Sequence, residues 1–171
     1  MYAFTLKHIG KFIKKSILFK YGLNLSPMYR RTTGKVVFIS DDLMEVRIRI
    51  RLTYKNSNYV GTIFGGSLFA ATDPFYMVQL INILGDNYVV WDKESTIKFK
   101  RPAKETVFAS FTFSLEEIEQ IKQEVAEKRE IDCIKKVNIT NKDGSVVIAE
   151  VSKTIYIADK TYFKEKRARR K

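Results

Sequence analysis

Residues 65–85 read GGSLFAATDPFYMVQLINILG. Between Leu68 and Leu84 only Thr72, Asp73, Gln79 and Asn82 are strongly polar. Wound as a helix, the stretch is apolar on every side, and a helix of that kind is buried all round. It is too short and too polar to span a bilayer. Two glycines open it, and Gly85 supplies a stop. Glycine lets another group approach the main chain closely. The first turn of a helix also presents N–H groups that have no intrahelical partner and can hold negative charge. Asp73 lies inside the apolar run, where an ionised group is costly unless it is paired or used. Pro74 removes one donor and frees the carbonyl of Ala70, which predicts a kink or a late helix start near Asp73. A second arrangement, in which Asp73 caps a helix beginning at Pro74, stays open.

The segments around this helix alternate. Met44, Val46, Ile48, Ile50 and Leu52 interleave with Glu45, Arg47, Arg49 and Arg51, the pattern of a half-buried strand. Lys35 to Ser40 is its predicted partner across a turn at Asp41-Asp42. Tyr88 to Arg101 reads as one long or bent strand, and Thr106 to Ser114 as another. Ser114 followed by Glu117 is a capping box, and Leu115, Ile118, Ile121 and Val125 form the stripe of the helix it opens. Ile131 to Thr140 and Ser145 to Ala158 are strands joined across Asn141-Lys142-Asp143-Gly144, a hairpin signal. Six strands and one buried helix make an α+β chain, a long antiparallel sheet wrapped around one central helix. The 171 residues, 45% of them hydrophobic, suffice for one domain with a core of its own.

Charge is concentrated at the ends. The formal net charge is +12. Residues 1–40 hold eight Lys/Arg and no Asp or Glu, and residues 160–171 hold seven Lys/Arg beside Glu165. The middle is close to neutral. Leu6, Ile9, Ile13 and Ile17 repeat at helical spacing with Lys7, Lys11, Lys14 and Lys15 largely elsewhere on the wheel, a basic amphipathic helix. Such a helix either packs on its own domain or dimer partner, or lies on an anionic membrane surface. Lys14, Lys15 and Lys20 break up any signal-peptide core. The tail beyond Lys160 is expected to fray. Cys133, the only cysteine, reads as a packed thiol and allows no intrachain disulfide. His8, the only histidine, reads as a helix-surface residue. The sequence has no metal-ligand cluster, so no metal site is expected. Lys166-Arg167-Ala168-Arg169-Arg170-Lys171 attracts polyanions, but no nucleic-acid motif accompanies it.

Upstream of the glycines the chain reads Asn58-Tyr59-Val60-Gly61-Thr62-Ile63-Phe64-Gly65-Gly66, and further on Ile97-Lys98-Phe99-Lys100-Arg101-Pro102-Ala103. The first resembles the active-site segment of hot-dog-fold acyl-CoA thioesterases of the phenylacetic-acid-degradation type. The second is similar to the Ile-x-Phe-x-Arg-Pro strand of the same family. In those enzymes a His-Gly-Gly triplet precedes a catalytic Asp; here Phe64 stands at the His position and Asp73 follows at the matching spacing. The likeness runs from about Lys35 to Asp159 and is nearest to a bacterial branch of the superfamily with no assigned function. It implies a hot-dog domain over 35–159, preceded by a basic helical segment over 1–34 and followed by a basic tail over 160–171.

The activity expected from this resemblance is hydrolysis of acyl-CoA or acyl-carrier thioesters. The N–H of Gly65, with Gly66, would hold the thioester oxyanion at the helix start. Asp73 would act as general base or as nucleophile. By analogy with the family, Asn58 orients the water or the loop; an Asn holding a Tyr54–Gly61 turn fits the residues equally. Phe64, Phe69, Phe75, Tyr76 and Trp91 suggest an apolar acyl pocket, with a plain core role as the alternative for each. Lys98 and Lys100 on one strand face and Arg101 on the other are candidates for the phosphates of coenzyme A, or simply a solvated face. Coenzyme A enters only as part of the substrate, and no other cofactor is implied. Eight residues of helix separate Gly65 from Asp73, ~12 Å along the axis. One chain does not easily bring both to one carbonyl, so two chains packed antiparallel about a two-fold axis are expected, as a homodimer or a dimer of dimers. The expected location is the cytoplasm, with weak contact to an anionic membrane surface as an added property and no specific nucleic-acid partner. A catalytically silent acyl-thioester binder is the alternative, because Phe64 cannot hydrogen-bond.

Overall fold

The computed structural model describes residues 14–169. Expectations for Leu6, His8, Ile9 and Ile13 fall outside that range. Two short helices, α1 (Lys15–Leu25) and α2 (Pro27–Arg31), lead into strands β1 (Gly34–Ile39) and β2 (Glu45–Ile50). Helices α3 (Gly65–Thr72) and α4 (Phe75–Leu84) follow, then β3 (Tyr88–Phe99) and β4 (Val107–Thr112). Helix α5 (Leu115–Lys128), strands β5 (Glu130–Thr140) and β6 (Val147–Asp159), and helix α6 (Lys160–Ala168) complete the order. The strands form one sheet in the order β1-β2-β4-β5-β6-β3, with every pairing antiparallel. The α+β architecture anticipated from the strand pattern is the one observed.

The alternating faces of β2, β4 and β6 meet the apolar helices. Ile48, Ile50, Phe111, Ile155 and Ile157 are fully inaccessible, as is Leu80 of α4. Burying such a side chain contributes about 1.5–3 kcal/mol. Phe75 packs edge-on against Tyr29 and tilted against Phe111, with ring centroids 5.5 and 4.7 Å away. Tyr76 is 2% exposed, packs on Phe111 and Phe113, and donates its hydroxyl to the Lys136 carbonyl at 2.9 Å. Tyr76, a candidate for the acyl pocket, is therefore a core residue. Burial pushes its hydroxyl pKa, and that of Tyr29, far upward.

The central helix is broken at Asp73-Pro74, as the proline requires. The amide of Asp73 reaches back to Ala70, and Pro74 leads into α4 with no side-chain cap. The capping arrangement for Asp73 is thereby set aside: its carboxylate does not bond the first turn of α4. Gly85 ends α4 at φ +81°. The capping box of α5 forms as read, with Ser114 Oγ accepting from Glu117 N at 3.1 Å and Glu117 Oε2 accepting from Ser114 N at 2.9 Å. Cys133 is half-buried in β5, and burial raises its thiol pKa.

The described parts of the basic ends, 14–31 and 160–169, are largely helical and tied to the sheet. Asn24 of α1 donates Nδ2 to the Val36 carbonyl and accepts the Val36 amide, both at 2.9 Å, so it blunts the outer edge of β1. Phe19 and Leu23 pack against the core, whereas Ile17, Tyr21 and Leu25 are 44%, 60% and 69% exposed. Ile17, Tyr21 and Leu25 thus share an outward face of α1. From Lys160 to Ala168 the chain is helical rather than frayed. Asp159 caps α6 by accepting from Tyr162 N at 2.9 Å, and Glu130 of β5 takes the Lys166 ammonium at 2.5 and 2.6 Å. Among the described residues no helix is long and apolar enough to cross a membrane.

Candidate active site

Strand β2 ends at Ile50, and the chain must reverse before α3. Asn56, 3% exposed, organises that reversal. Its Oδ1 accepts from Thr53 N at 2.8 Å, and its Nδ2 donates to Thr33 Oγ1 and to the Arg51 carbonyl, both at 2.8 Å. Its carbonyl accepts the Phe64 amide at 2.8 Å, which aims the chain into Gly65. Asn58 holds the second half of the loop. Its Oδ1 accepts from Val60 N and Thr62 N at 3.1 and 3.0 Å, and its Nδ2 donates to Thr62 Oγ1 at 2.8 Å. The Asn58 side chain is therefore occupied by its own turn. Asn56 was not singled out from sequence; its polar type in a turn before the glycines was the only available signal.

At the start of α3 the amides of Ser67 and Leu68 both reach the Phe64 carbonyl, at 2.9 and 3.2 Å. Those of Gly65 and Gly66 have no acceptor among the described residues, as the first amides of any helix lack one within it. Aromatic rings lie over both glycines. A Cβ on Gly65 would lie 2.7 Å from Phe99 Cζ, and one on Gly66 would lie 2.3 Å from Phe64 Cε1. Phe64 and Phe99 are each 57% exposed, so they form an apolar rim beside the two free amides. Phe69 is half-buried against the core, one turn further along α3.

Asp73 sits at the other end of α3. Its Oδ1 accepts from Lys153 Nζ at 3.0 Å, and the same ammonium donates to Asp92 Oδ2 at 2.7 Å and to the Asp73 carbonyl. Lys153 is fully buried, while the Asp73 side chain is 57% exposed. One ammonium therefore ties α3 to β3 and β6 and leaves the other Asp73 oxygen toward solvent. Asp92 Oδ1 is buried without a partner. Lys153 was not singled out from sequence. Its signal was present: it interrupts the inward row Ala149, Val151, Ile155, Ile157 of β6.

The other candidates separate. Val90 and Asp92 of β3 face the helices, so Trp91 faces the opposite side, 59% exposed. There it lines a cleft with Tyr156, Phe163 and Lys166. Trp91 is not gathered with Phe64 and Phe69. Lys98, opposite Glu150, also lies on that outer face. Strand β3 stops at Phe99, and the amides of Lys100 and Arg101 both bond the Ile148 carbonyl, at 2.8 and 3.1 Å. Two successive donors on one acceptor end the regular alternation after Phe99. Lys100 and Arg101 are exposed just beyond Phe99. No group of His, Cys, Asp and Glu suited to a metal occurs among the described residues.

A six-stranded antiparallel sheet packed on a central helix, with a glycine pair at the helix start, defines this chain as a hot-dog-fold protein. Solved structures agree. A Pseudomonas aeruginosa protein of unknown function, PA5026, described as a probable thioesterase, superposes with a TM-score of 0.71 at 22% identity, over 84% of this chain and 95% of that one. A Chlorobaculum tepidum protein of unknown function gives 0.66 at 16% identity, over 85% and 98%. The thioesterase HI1161 of Haemophilus influenzae gives 0.57 at 10% identity, over 81% and 87%. The chain belongs to the family described as Domain of unknown function (DUF4442), whose model matches residues 15–157. No curated protein sequence matches it.

Proposed function

We propose that this protein hydrolyses acyl-CoA or acyl-carrier thioesters in sites shared by two copies of the chain, in the manner of the phenylacetic-acid-degradation type. The observation that carries this reading is the placement of the two chemical groups at opposite ends of α3: unpaired glycine amides at its start and Asp73 after its end. Both lie beside β3, which is an edge strand of the sheet. Phe99 of β3 covers Gly65, and Asp92 of β3 shares Lys153 with Asp73. Two copies joined along this edge about a two-fold axis would set the glycine amides of one against Asp73 of the other.

In that site the thioester oxygen accepts hydrogen bonds from the Gly65 and Gly66 amides. These donors are fixed before reaction, and their value grows as charge develops on the oxygen. Asp73 takes a proton from water, the water oxygen bonds to the carbonyl carbon, the C–S bond breaks as the oxyanion collapses, and the proton on Asp73 passes to the departing thiolate. The products are a carboxylic acid and a thiol. Direct attack by Asp73, giving an anhydride that water then opens, satisfies the same geometry. Lys153 positions Asp73 rather than touching substrate. Lys100 and Arg101, just past the Phe99 rim, are the better placed of the three cations for the phosphates of coenzyme A.

A second reading, a silent acyl-thioester binder, is favoured by one feature. The Phe64 ring folds over Gly66 at the position where the resembling family carries a histidine, and it offers no hydrogen bond. Thiol release from a panel of acyl-CoA chain lengths decides between them. Asp73→Asn keeps the shape and removes the charge, and turnover should drop by roughly a hundredfold or more. An Asp73→Asn protein as active as wild type would overturn the catalytic assignment. Saturable acyl-CoA binding with no thiol release from wild type would establish the silent binder.

A further inference from the structure

A second site lies at the opposite edge of the sheet. There an open cleft of about 580 Å³ forms between α1, α2, β1 and the end of β2. Five cations line it: Arg30 of α2, Lys35 of β1, Arg49 of β2, and Arg51 and Lys55 just beyond. No carboxylate lines it. None of the five has an ion-pair partner among the described residues. Residues 1–13 contain no Asp or Glu, so that segment has no side-chain carboxylate to contribute.

The strand register sets Lys35 directly opposite Arg49. Like charges facing each other across an antiparallel pair repel, and three further cations add to the field. Arg49 Nε is buried and reaches no acceptor. A guanidinium presents its donors as a planar fork that matches phosphate oxygens. One wall of the cleft is apolar, formed by the outward-facing Tyr21 and Leu25 of α1. Cations without counter-charge, an unused guanidinium donor and an adjoining apolar wall are together the complement of an amphiphilic phosphate.

We propose that this cleft binds a phosphate-bearing anion, with Lys35, Arg49 and Arg51 on the phosphate and Tyr21 and Leu25 against its apolar body. A nucleotide phosphate and a phospholipid headgroup share that chemistry. The cleft contains neither Asp73 nor the glycine amides, so its failure would leave the thioesterase reading untouched.

The test uses the full chain with inorganic pyrophosphate, adenosine 3′,5′-bisphosphate, and phosphatidylcholine vesicles with or without phosphatidylglycerol. Pyrophosphate should raise the melting temperature beyond a chloride control of equal ionic strength, as any ligand of the folded state does. Arg49→Gln/Arg51→Gln should weaken binding at least tenfold. Lys35→Gln/Lys55→Gln, at exposed positions, should weaken it as well and serves if the first pair folds poorly. Lys142→Gln/Lys164→Gln, which removes equal charge elsewhere, should not. Saturable binding of the bisphosphate marks a nucleotide source, and flotation with only the anionic vesicles marks a headgroup. No saturable binding of any probe, or binding undiminished in both cleft variants, would overturn the proposal.

Discussion

Lys153 occupies an inward position of β6 between Val151 and Ile155, both fully buried. A lysine there is tolerated because two carboxylates and a carbonyl surround its ammonium. The two acids are not equivalent. Asp73 is 57% exposed at its side chain, whereas Asp92 is 22% exposed with one oxygen buried and unpaired. Removing one member of a buried pair leaves a charge without compensation, at a cost of about 3 kcal/mol or more. An exposed ion pair is worth about 1 kcal/mol or less. Lys153→Met is therefore expected to lower the urea-unfolding free energy by about 3 kcal/mol, and Asp73→Asn by about 1 kcal/mol or less. Equal losses from the two substitutions would mean that Asp92 does not depend on Lys153. This comparison also guards the activity test, because a stable Asp73→Asn protein that fails to turn over has lost chemistry and not its fold.

At the scale of elements, Glu130 is the acid that ties the body of α6 to the sheet. Glu130 receives Lys166 and the Tyr156 hydroxyl at 2.5 Å, and Tyr162 more weakly at 3.3 Å. Lys166 first, and Tyr156 second, hold its carboxyl below the ordinary value of 4.5. The folded state thus binds the Glu130 proton more weakly than the unfolded state does. The stabilisation is fully present above 4.5 and is lost as pH falls through the lower folded value. Trp91, the only tryptophan, lines the cleft under α6 with Tyr156 and Phe163, so its emission reports the docking. Acid titration below pH 4.5 should shift Trp91 emission to the red while sheet ellipticity persists, and Glu130→Gln should show the shifted emission already at neutral pH. Unchanged emission in Glu130→Gln would show that the apolar contact of Phe163 with Tyr156 is enough to hold the helix.

For the whole molecule, the free edge of β3 sets the expected assembly. Strand β3 runs for twelve residues and pairs only with β6. An unprotected edge of that length is a template for another strand. Phe64 and Phe99 add exposed apolar surface beside it. Light scattering at micromolar concentration should give twice the monomer mass, and Ser95→Pro, whose lost N–H faces the free edge because the amides in register with that of Lys100 turn to β6, should shift it toward monomer and abolish turnover together. A fully active monomer would remove the shared-site arrangement. The basic ends, by contrast, should influence encounters with polyanions in a salt-dependent way and leave assembly alone.

What the sequence determined by itself is what short windows encode. The capping box at Ser114 and Glu117, the hairpin at Asn141–Gly144, the alternation of β2 and the break at Pro74 each depend on residues within a few positions of one another. Their hydrogen bonds and periodicities follow from local geometry. The glycine pair and Asp73 were legible for the same reason, because both are defined by spacing along one helix. Tertiary structure decided what distant segments share. Lys153 meets Asp73 and Asp92 across 80 and 61 positions, a contact set by sheet order and not by periodicity. The parity of β3 placed Trp91 on the outer face, away from the rings it was grouped with, and the irregularity after Asp92 brought Lys98 to that same face. Tyr76 went to the core because its hydroxyl found the Lys136 carbonyl, 60 positions away. The tail became helix α6 because Asp159 capped it and Glu130 met Lys166 across the sheet. Composition gave the charge at each end; only the folded chain gathered Arg30, Lys35, Arg49, Arg51 and Lys55 into one cleft, because antiparallel pairing brings together side chains that lie far apart along the sequence.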